Sequence, residues 1–254
     1  MSGGIQAAVQ QQAGEGEVPY QLSVFASSVD LLDKLRDKGV EPEVVAGHSL
    51  GEYAAAHAAG SLSLEDGVRL VAERDRLMNE ASRENPGVMV ALIKADPMDV
   101  VSAVEEAEGV VVAANFNTPR QTVISGEEKA VQAVADSLNG RKVRLEVAGA
   151  FHSPLMLEAS RAMSRLLLDV ELQRPEIPMV SATDGAILAT VDDLRQALMG
   201  QMLSPVRWVA VIERFRDLGV REVVEAGEGG TLTRMLRDFP QDRMKGTTAK
   251  EVLA

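Results

Sequence analysis

Apolar residues recur at helical spacing through Leu22, Phe25, Val29, Leu32 and Leu35, which predicts an amphipathic helix stopped by Gly39. Val44–Ala46 is an apolar run too short for a helix and reads as a buried strand. It runs straight into Gly47-His48-Ser49-Leu50-Gly51 and an Ala-rich helix reaching about Ala59. Ser63 with Asp66 predicts a capped helix start; that helix carries Val68, Val71 and Leu77 and ends before Pro86-Gly87. Ahead of all these, Met1–Gly16 is rich in Gly and Gln and reads as a poorly ordered or surface segment.

Residues 87–147 have a pattern of their own. Val88–Ile93 reads as a strand, Asp96-Pro97 as a helix cap with proline in the first turn, and Val110–Asn115 as a second strand. After the turn Thr118-Pro119-Arg120, Gln121–Ser125 is a third strand. Ser125 and Glu128 predict another capping box, Asn139-Gly140 stops that helix, and Arg141–Val147 alternates as a fourth strand. The order β-α-β-β-α-β is that of a ferredoxin-like unit.

From Ala148 onward helix signals cover Pro154–Leu168, Asp192–Leu203 and Arg207–Leu218. Strand signals fall near Ile177–Ser181 and Val220–Glu225, and Gly227-Glu228-Gly229-Gly230 feeds a last short helix. Alternating strands and helices predict an α/β fold with a mainly parallel sheet. The expectation is an α/β-hydrolase-like main domain from residues 1–86 and 148–254, with a ferredoxin-like subdomain inserted at 87–147.

Aromatics are only 3% of the chain, so the core must be built from Ala, Val, Leu, Ile and Met. With 26 basic and 38 acidic residues the net charge is −12, which argues against general affinity for nucleic acid or anionic membrane. The absence of cysteine excludes thiol nucleophiles, disulfides and Cys-ligated metals. No apolar run approaches the roughly 20 residues of a membrane span. Met1–Gly16 lacks the basic flank and apolar stretch of a signal peptide. The expectation is a cytoplasmic monomer.

The chemistry concentrates at Ser49. Gly47-x-Ser49-x-Gly51 between a strand and a helix is the context of a nucleophile elbow: the sharp turn lifts the hydroxyl above the strand end, and small flanking residues let backbones pass closely. The N–H of Leu50, at the helix N-terminus, is placed to stabilise an oxyanion. A serine hydroxyl needs a base, and the chain has three histidines. His48 leaves the elbow in another direction, and His57 sits on the Ala-rich helix about two turns on. That leaves His152, on a loop opening a helix. Its orienting partner is either Asp184 or a backbone carbonyl.

Ala46-Gly47-His48-Ser49-Leu50-Gly51-Glu52-Tyr53 resembles the active-site elbow of malonyl-CoA:acyl carrier protein transacylases, the family that includes the acyltransferase domains of polyketide and fatty-acid synthases. Ala72–Met78, Asn115–Pro119, Ala150–Met156, Pro205–Trp208 and the Glu225-Ala226-Gly227 loop agree with the same family, in its order, from about Gln21 onward. Full-length members begin with a strand and a Gly-Gln-Gly-Ser-Gln loop, and Met1–Gln21 has neither pattern.

The resemblance implies that Ser49 takes the acyl group and that His152 is general base, then general acid. It implies that the backbone carbonyl of Gln201 orients that histidine and that Leu50 supplies an oxyanion amide. Arg74 would pair with the free carboxylate of a malonyl group, a task suited to a planar guanidinium. His48, Asn117 and Phe151 would line the site. A bulky Phe151 resembles malonyl-selective members, though discriminating one methyl is worth only about 1–3 kcal/mol. The implied substrate is a coenzyme A thioester, the implied partner acyl carrier protein, and no metal or redox cofactor is implied. Three other readings share some of these motifs: the acyltransferase component of malonate decarboxylase, a serine esterase or thioesterase, and an inactive shorter paralogue.

Overall fold

The computed structural model describes residues 3–14, 16–241 and 244–254. Met1, Ser2 and Glu15, part of the predicted surface segment, lie outside the described residues. In chain order the helices are α1 (Gly3–Ala13), α2 (Tyr20–Asp37), α3 (Gly51–Ala58), α4 (Leu64–Glu84), α5 (Pro97–Glu105), α6 (Glu128–Ser137), α7 (Leu157–Leu168), α8 (Val191–Gly200), α9 (Trp208–Asp217), α10 (Thr231–Met235) and α11 (Ala249–Leu253). The strands are β1 (Val45–Ala46), β2 (Val88–Ile93), β3 (Val111–Thr118), β4 (Gln121–Gly126), β5 (Arg141–Arg144), β6 (Met179–Val180), β7 (Ile187–Leu188), β8 (Glu222–Glu225) and β9 (Lys245–Thr248).

The main body is α/β-hydrolase-like. β1 pairs in parallel with β6, which carries antiparallel β7, and β8 pairs in parallel with β9. The largest core lies among the helices: α4 offers a stripe of Val68, Val71, Met78 and Ala81 to Phe25 and Val29 of α2 and to Ala159 and Met163 of α7. Gly67 lets the Phe25 ring approach, since a Cβ there would lie 2.6 Å from it. A second core packs β1, β6 and β8 residues around Trp208, Val211, Ile212 and Phe215 of α9. Among the described residues no helix is long and apolar enough to cross a membrane.

The inserted unit is ferredoxin-like. Its four strands lie in the order β3-β4-β2-β5, every neighbour antiparallel. One sheet face packs on α5 and α6 through Val90, Leu92, Ile124, Val100 and Val131. The other, Met89, Ala91, Ala114 and Val123, packs on Phe151 and so faces the centre described below. The caps at Ser63 and Asp96 form as the sequence predicts, accepting from Asp66 N and Met98 N.

Three expectations are corrected. Residues 3–13 are helical, and Ile5 and Val9, one turn apart, are buried against α2 and α4. Tertiary packing outweighs the polar composition there. Ser125 caps nothing: it lies inside β4, and α6 starts from Glu127 without a side-chain cap. The strands β5, β6 and β8 are shorter than the predicted Arg141–Val147, Ile177–Ser181 and Val220–Glu225.

Candidate active site

The strand β1 ends at Ala46, and the chain reverses through residues 47–50 into α3. The turn is tight enough that a Cβ on Gly47 would lie 2.0 Å from the backbone of Gly51, so only glycine fits. Ser49 adopts φ +52°, the left-handed region that a side chain enters only under strain. Ser49 itself is half-buried. Among the described residues the N–H of Leu50 meets no acceptor, and it stands at the N-terminus of α3.

His152 also has a left-handed backbone, φ +57°, on the loop between β5 and a 3₁₀ turn at Pro154–Met156. Ser125 Oγ donates to Phe151 O at 2.6 Å, and Ser153 Oγ donates to Ala150 O at 2.6 Å. The serine predicted to cap a helix instead ties the histidine loop to the inserted sheet.

His152 Nε2 lies 2.8 Å from Ser49 Oγ. Its Nδ1 lies 3.0 Å from both Gln201 O and Ser204 O. Carbonyls only accept, so Nδ1 carries the proton and Nε2 presents a lone pair to the serine hydroxyl. Asp184 is not the orienter; it accepts from Ala186 N in its own turn. The loop that supplies both carbonyls is held in turn: Val206 N donates to Ala114 O, and Phe116 N donates to Val206 O, each at 2.8 Å. Burial lowers the His152 pKa to about 4, helped by the charge of Arg74 and by His48, and the two carbonyls only partly oppose this.

Arg74 is 2% exposed although α4 is a charged helix. It occupies the apolar stripe, one turn from Val71 and from Met78. Nη2 donates to Ser49 Oγ at 3.0 Å, Nε donates to Gln201 Oε1 at 3.1 Å, and Nη1 donates to Gln21 Oε1. The Tyr53 ring lies 5.9 Å from the guanidinium carbon. Among the described residues no carboxylate reaches Arg74 as an ion pair. An unpaired buried cation is costly unless a ligand supplies the anion.

His48 Nε2–H donates to Asn117 Oδ1 at 2.8 Å, and its ring lies 5.6 Å from Trp208. Burial lowers its pKa. His57 is structural: Nδ1 donates to Leu62 O at 2.9 Å. Phe151, partly buried, packs between the main core and the inserted sheet. All eight residues singled out from the sequence therefore converge here.

Four others were not foreseen. Gln21, Ser125 and Ser204 are described above, and the fourth is Glu52, 1% exposed. Glu52 Oε1 accepts from Ala182 N at 3.0 Å and Oε2 from Gln201 Nε2 at 2.6 Å. Burial pushes its pKa up to about 7, against the pull of Gln201, Ala182 and Arg74. Gln21 has a sequence signal: it sits in register with Leu22 and Phe25 on a buried helix stripe, where a polar side chain needs a partner.

The depressed His152 pKa predicts a pH profile. An unperturbed histidine at about 6.5 would be mostly protonated near pH 5 and useless as a base. Proton transfer from the Ser49 hydroxyl to His152 is instead expected to persist to about pH 5 and to fail only as His152 protonates near 4. The same shift is a stability statement. The folded state prefers the neutral ring, so this contribution is complete above about 6.5 and is lost as pH falls toward about 4. Single-turnover rates of Ser49 modification across this range check the first point.

Residues 9–250 match the acyl transferase domain family. The malonyl CoA-acyl carrier protein transacylase of Synechocystis sp. is 37% identical over 218 residues, covering 85% of this chain and 73% of that protein. The solved MCAT of Streptococcus pneumoniae has a TM-score of 0.89 and 30% identity, with 98% of this chain and 90% of that one covered. A malonyl-transacylase solved in complex with its type II PKS acyl-carrier protein gives a TM-score of 0.86 and 29% identity, with 95% and 87% covered.

Proposed function

The chain belongs to the acyl transferase domain family and, within it, to the malonyl CoA-acyl carrier protein transacylases, and from that premise we propose how its own residues carry the reaction. The protein is an acyltransferase that moves a malonyl group from malonyl-CoA to the phosphopantetheine thiol of acyl carrier protein, in fatty-acid or polyketide synthesis. In our reading the group passes through a malonyl ester on Ser49. The observation that carries this is the buried, carboxylate-free Arg74 guanidinium with Nη2 3.0 Å from Ser49 Oγ. A nucleophile beside an unpaired fixed cation suits an acyl group that ends in a carboxylate.

Ser49 Oγ attacks the thioester carbonyl carbon as its proton passes to His152 Nε2. The Leu50 N–H stabilises the oxyanion. The carbon–sulfur bond breaks, and the coenzyme A thiolate leaves with the proton from His152. The carrier thiol then gives its proton to His152 and attacks the ester, and Ser49 leaves reprotonated. Each proton transfer uses one nitrogen, because the carbonyls of Gln201 and Ser204 hold the other as a donor. Neither half-reaction calls for a metal or redox group. Orientation by carbonyls supports transfer over an esterase triad, which relies on a carboxylate.

We further assign residues 1–86 and 148–254 to the catalytic body and 87–147 to the inserted subdomain. A cytoplasmic location, where coenzyme A thioesters and carrier proteins are met, completes the reading.

The test is a two-stage labelling. The chain is mixed with malonyl-CoA, quenched and weighed intact, and the modified peptide is sequenced. A malonyl adduct on Ser49 that discharges onto added holo-carrier protein is the expected result. An adduct released only as free malonate would mean hydrolysis and would overturn transfer.

A further inference from the structure

Gln201 touches three parts of the centre at once. Its backbone oxygen accepts from His152 Nδ1 at 3.0 Å, its Oε1 accepts from Arg74 Nε at 3.1 Å, and its Nε2 donates to Ser49 O at 2.9 Å. Its amide must therefore point one way: nitrogen toward the elbow, oxygen toward the guanidinium. A primary amide has nearly the same shape after a half-turn, so shape alone does not enforce this. Something that only accepts must face the nitrogen.

Glu52 in its carboxylate form is that group, the form that an N–H donor on each oxygen selects. It lies one turn beyond Ser49 on α3, and its N–H donates to Ser49 O at 2.9 Å. Both of its oxygens are committed to donors, Ala182 N at 3.0 Å and Gln201 Nε2 at 2.6 Å. We propose that Glu52 is a positioning residue, whose carboxylate fixes the amide of Gln201 and thereby keeps Arg74 aimed at the acyl carboxylate. The proposal rests on the reading of Arg74 given above.

The physical content lies in the donor count. A glutamine at 52 has one oxygen for two donors, so its NH₂ must face either Ala182 N–H or the Gln201 amide nitrogen. Turning Gln201 over would satisfy the new neighbour, but would set an NH₂ against Arg74 Nε. The guanidinium then loses a buried acceptor and its aim. The backbone carbonyl of Gln201 is unaffected by rotation of the side-chain amide, so His152 keeps its tautomer. Glu52→Gln should accordingly damage recognition of the carboxylate and leave the acyl-transfer chemistry in place.

The experiment uses the full chain with Glu52→Gln, Arg74→Ala and the double variant. Acylation of Ser49 is followed with malonyl-CoA and with acetyl-CoA, a donor lacking the carboxylate. Glu52→Gln is expected to lower kcat/KM for malonyl-CoA about 10-fold or more, with acetyl-CoA changed less than about 3-fold. In the Arg74→Ala background the added Glu52→Gln should change malonyl-CoA less than about 3-fold, since it acts through a group already gone. Equal losses for both donors, or full additivity with Arg74→Ala, would show a merely structural role and overturn the proposal. If Glu52→Gln does not fold, Glu52→Asp is read by the same two criteria. Should Arg74→Ala leave the malonyl preference intact, the function reading falls and takes this one with it. A preference lost in Arg74→Ala and kept in Glu52→Gln sinks this proposal alone.

Discussion

Ser49→Ala is expected to form no malonyl adduct and to transfer malonyl at least about 10⁴-fold more slowly than the natural chain. The variant removes the atom that lies 2.8 Å from His152 Nε2 and 3.0 Å from Arg74 Nη2. His152, Arg74 and the Leu50 amide remain, and such remnants support residual catalysis over water of roughly 10³–10⁴-fold in serine hydrolases. Slow malonyl-CoA hydrolysis is the activity to look for. Folding should survive. Ser49 holds a left-handed backbone at φ +52°, and alanine meets the same strain there without a larger side chain to place. The elbow itself depends on Gly47, not on the hydroxyl. Intact mass, kcat/KM and the melting temperature together make the check. An adduct that persists in a folded Ser49→Ala protein would place the acyl group on another hydroxyl and remove the elbow from the mechanism.

The elbow was legible because everything that makes it is local. A short apolar run, a glycine on each side of Ser49 and an Ala-rich helix lie within a few residues, and the backbone follows. The inserted unit was legible for a similar reason: caps, turns and period-two alternation mark each of its elements in place. What failed also has a pattern. Ser125 carries a cap-like spacing to Glu128, but β4 pairing takes its backbone and Phe151 O takes its hydroxyl. The helix α1 shows only Ile5 and Val9 among glutamines, so its formation depends on surfaces contributed by α2 and α4. The short strands reflect pairing: β1 and β8 each have a single described partner strand, which the chain's own apolar pattern does not reveal.

The network behind Ser49 and His152 was the least legible part. Glu52 meets Gln201 across 149 positions, and Arg74 meets Gln21 across 53. No periodicity spans such distances. Backbone carbonyls leave no side-chain signature at all, so the orientation of His152 by Ser204 could be seen only in three dimensions. Gln201 and Arg74 entered through likeness to a family, and the fold supplies the physical reason for each. A residue that looks like one charge among many on α4 proves to be a buried cation held by two amide oxygens.

That burial sets the size of the remaining prediction. Arg74→Ala should lower kcat/KM for malonyl-CoA by roughly 10²–10³-fold, the cost of breaking a buried charge pair at about 3–4 kcal/mol. Acetyl-CoA makes no such pair, so its rate should hold or rise, and the preference between the two donors should collapse. Arg74→Lys should recover little, because a point charge on a flexible stem cannot match the fork that serves Ser49, Gln201 and Gln21 together. The stability change has opposing parts. Removing a buried cation that no described carboxylate pairs relieves a desolvation cost, while Gln21 and Gln201 each lose a donor at about 1–3 kcal/mol apiece. Selectivity therefore reads the role of Arg74 more cleanly than melting temperature does. Competition between malonyl-CoA and acetyl-CoA for Ser49, scored by intact mass, measures it directly. A variant that loses both donors alike would show Arg74 to be a strut of the elbow, and carboxylate recognition would then have to come from another group near Ser49.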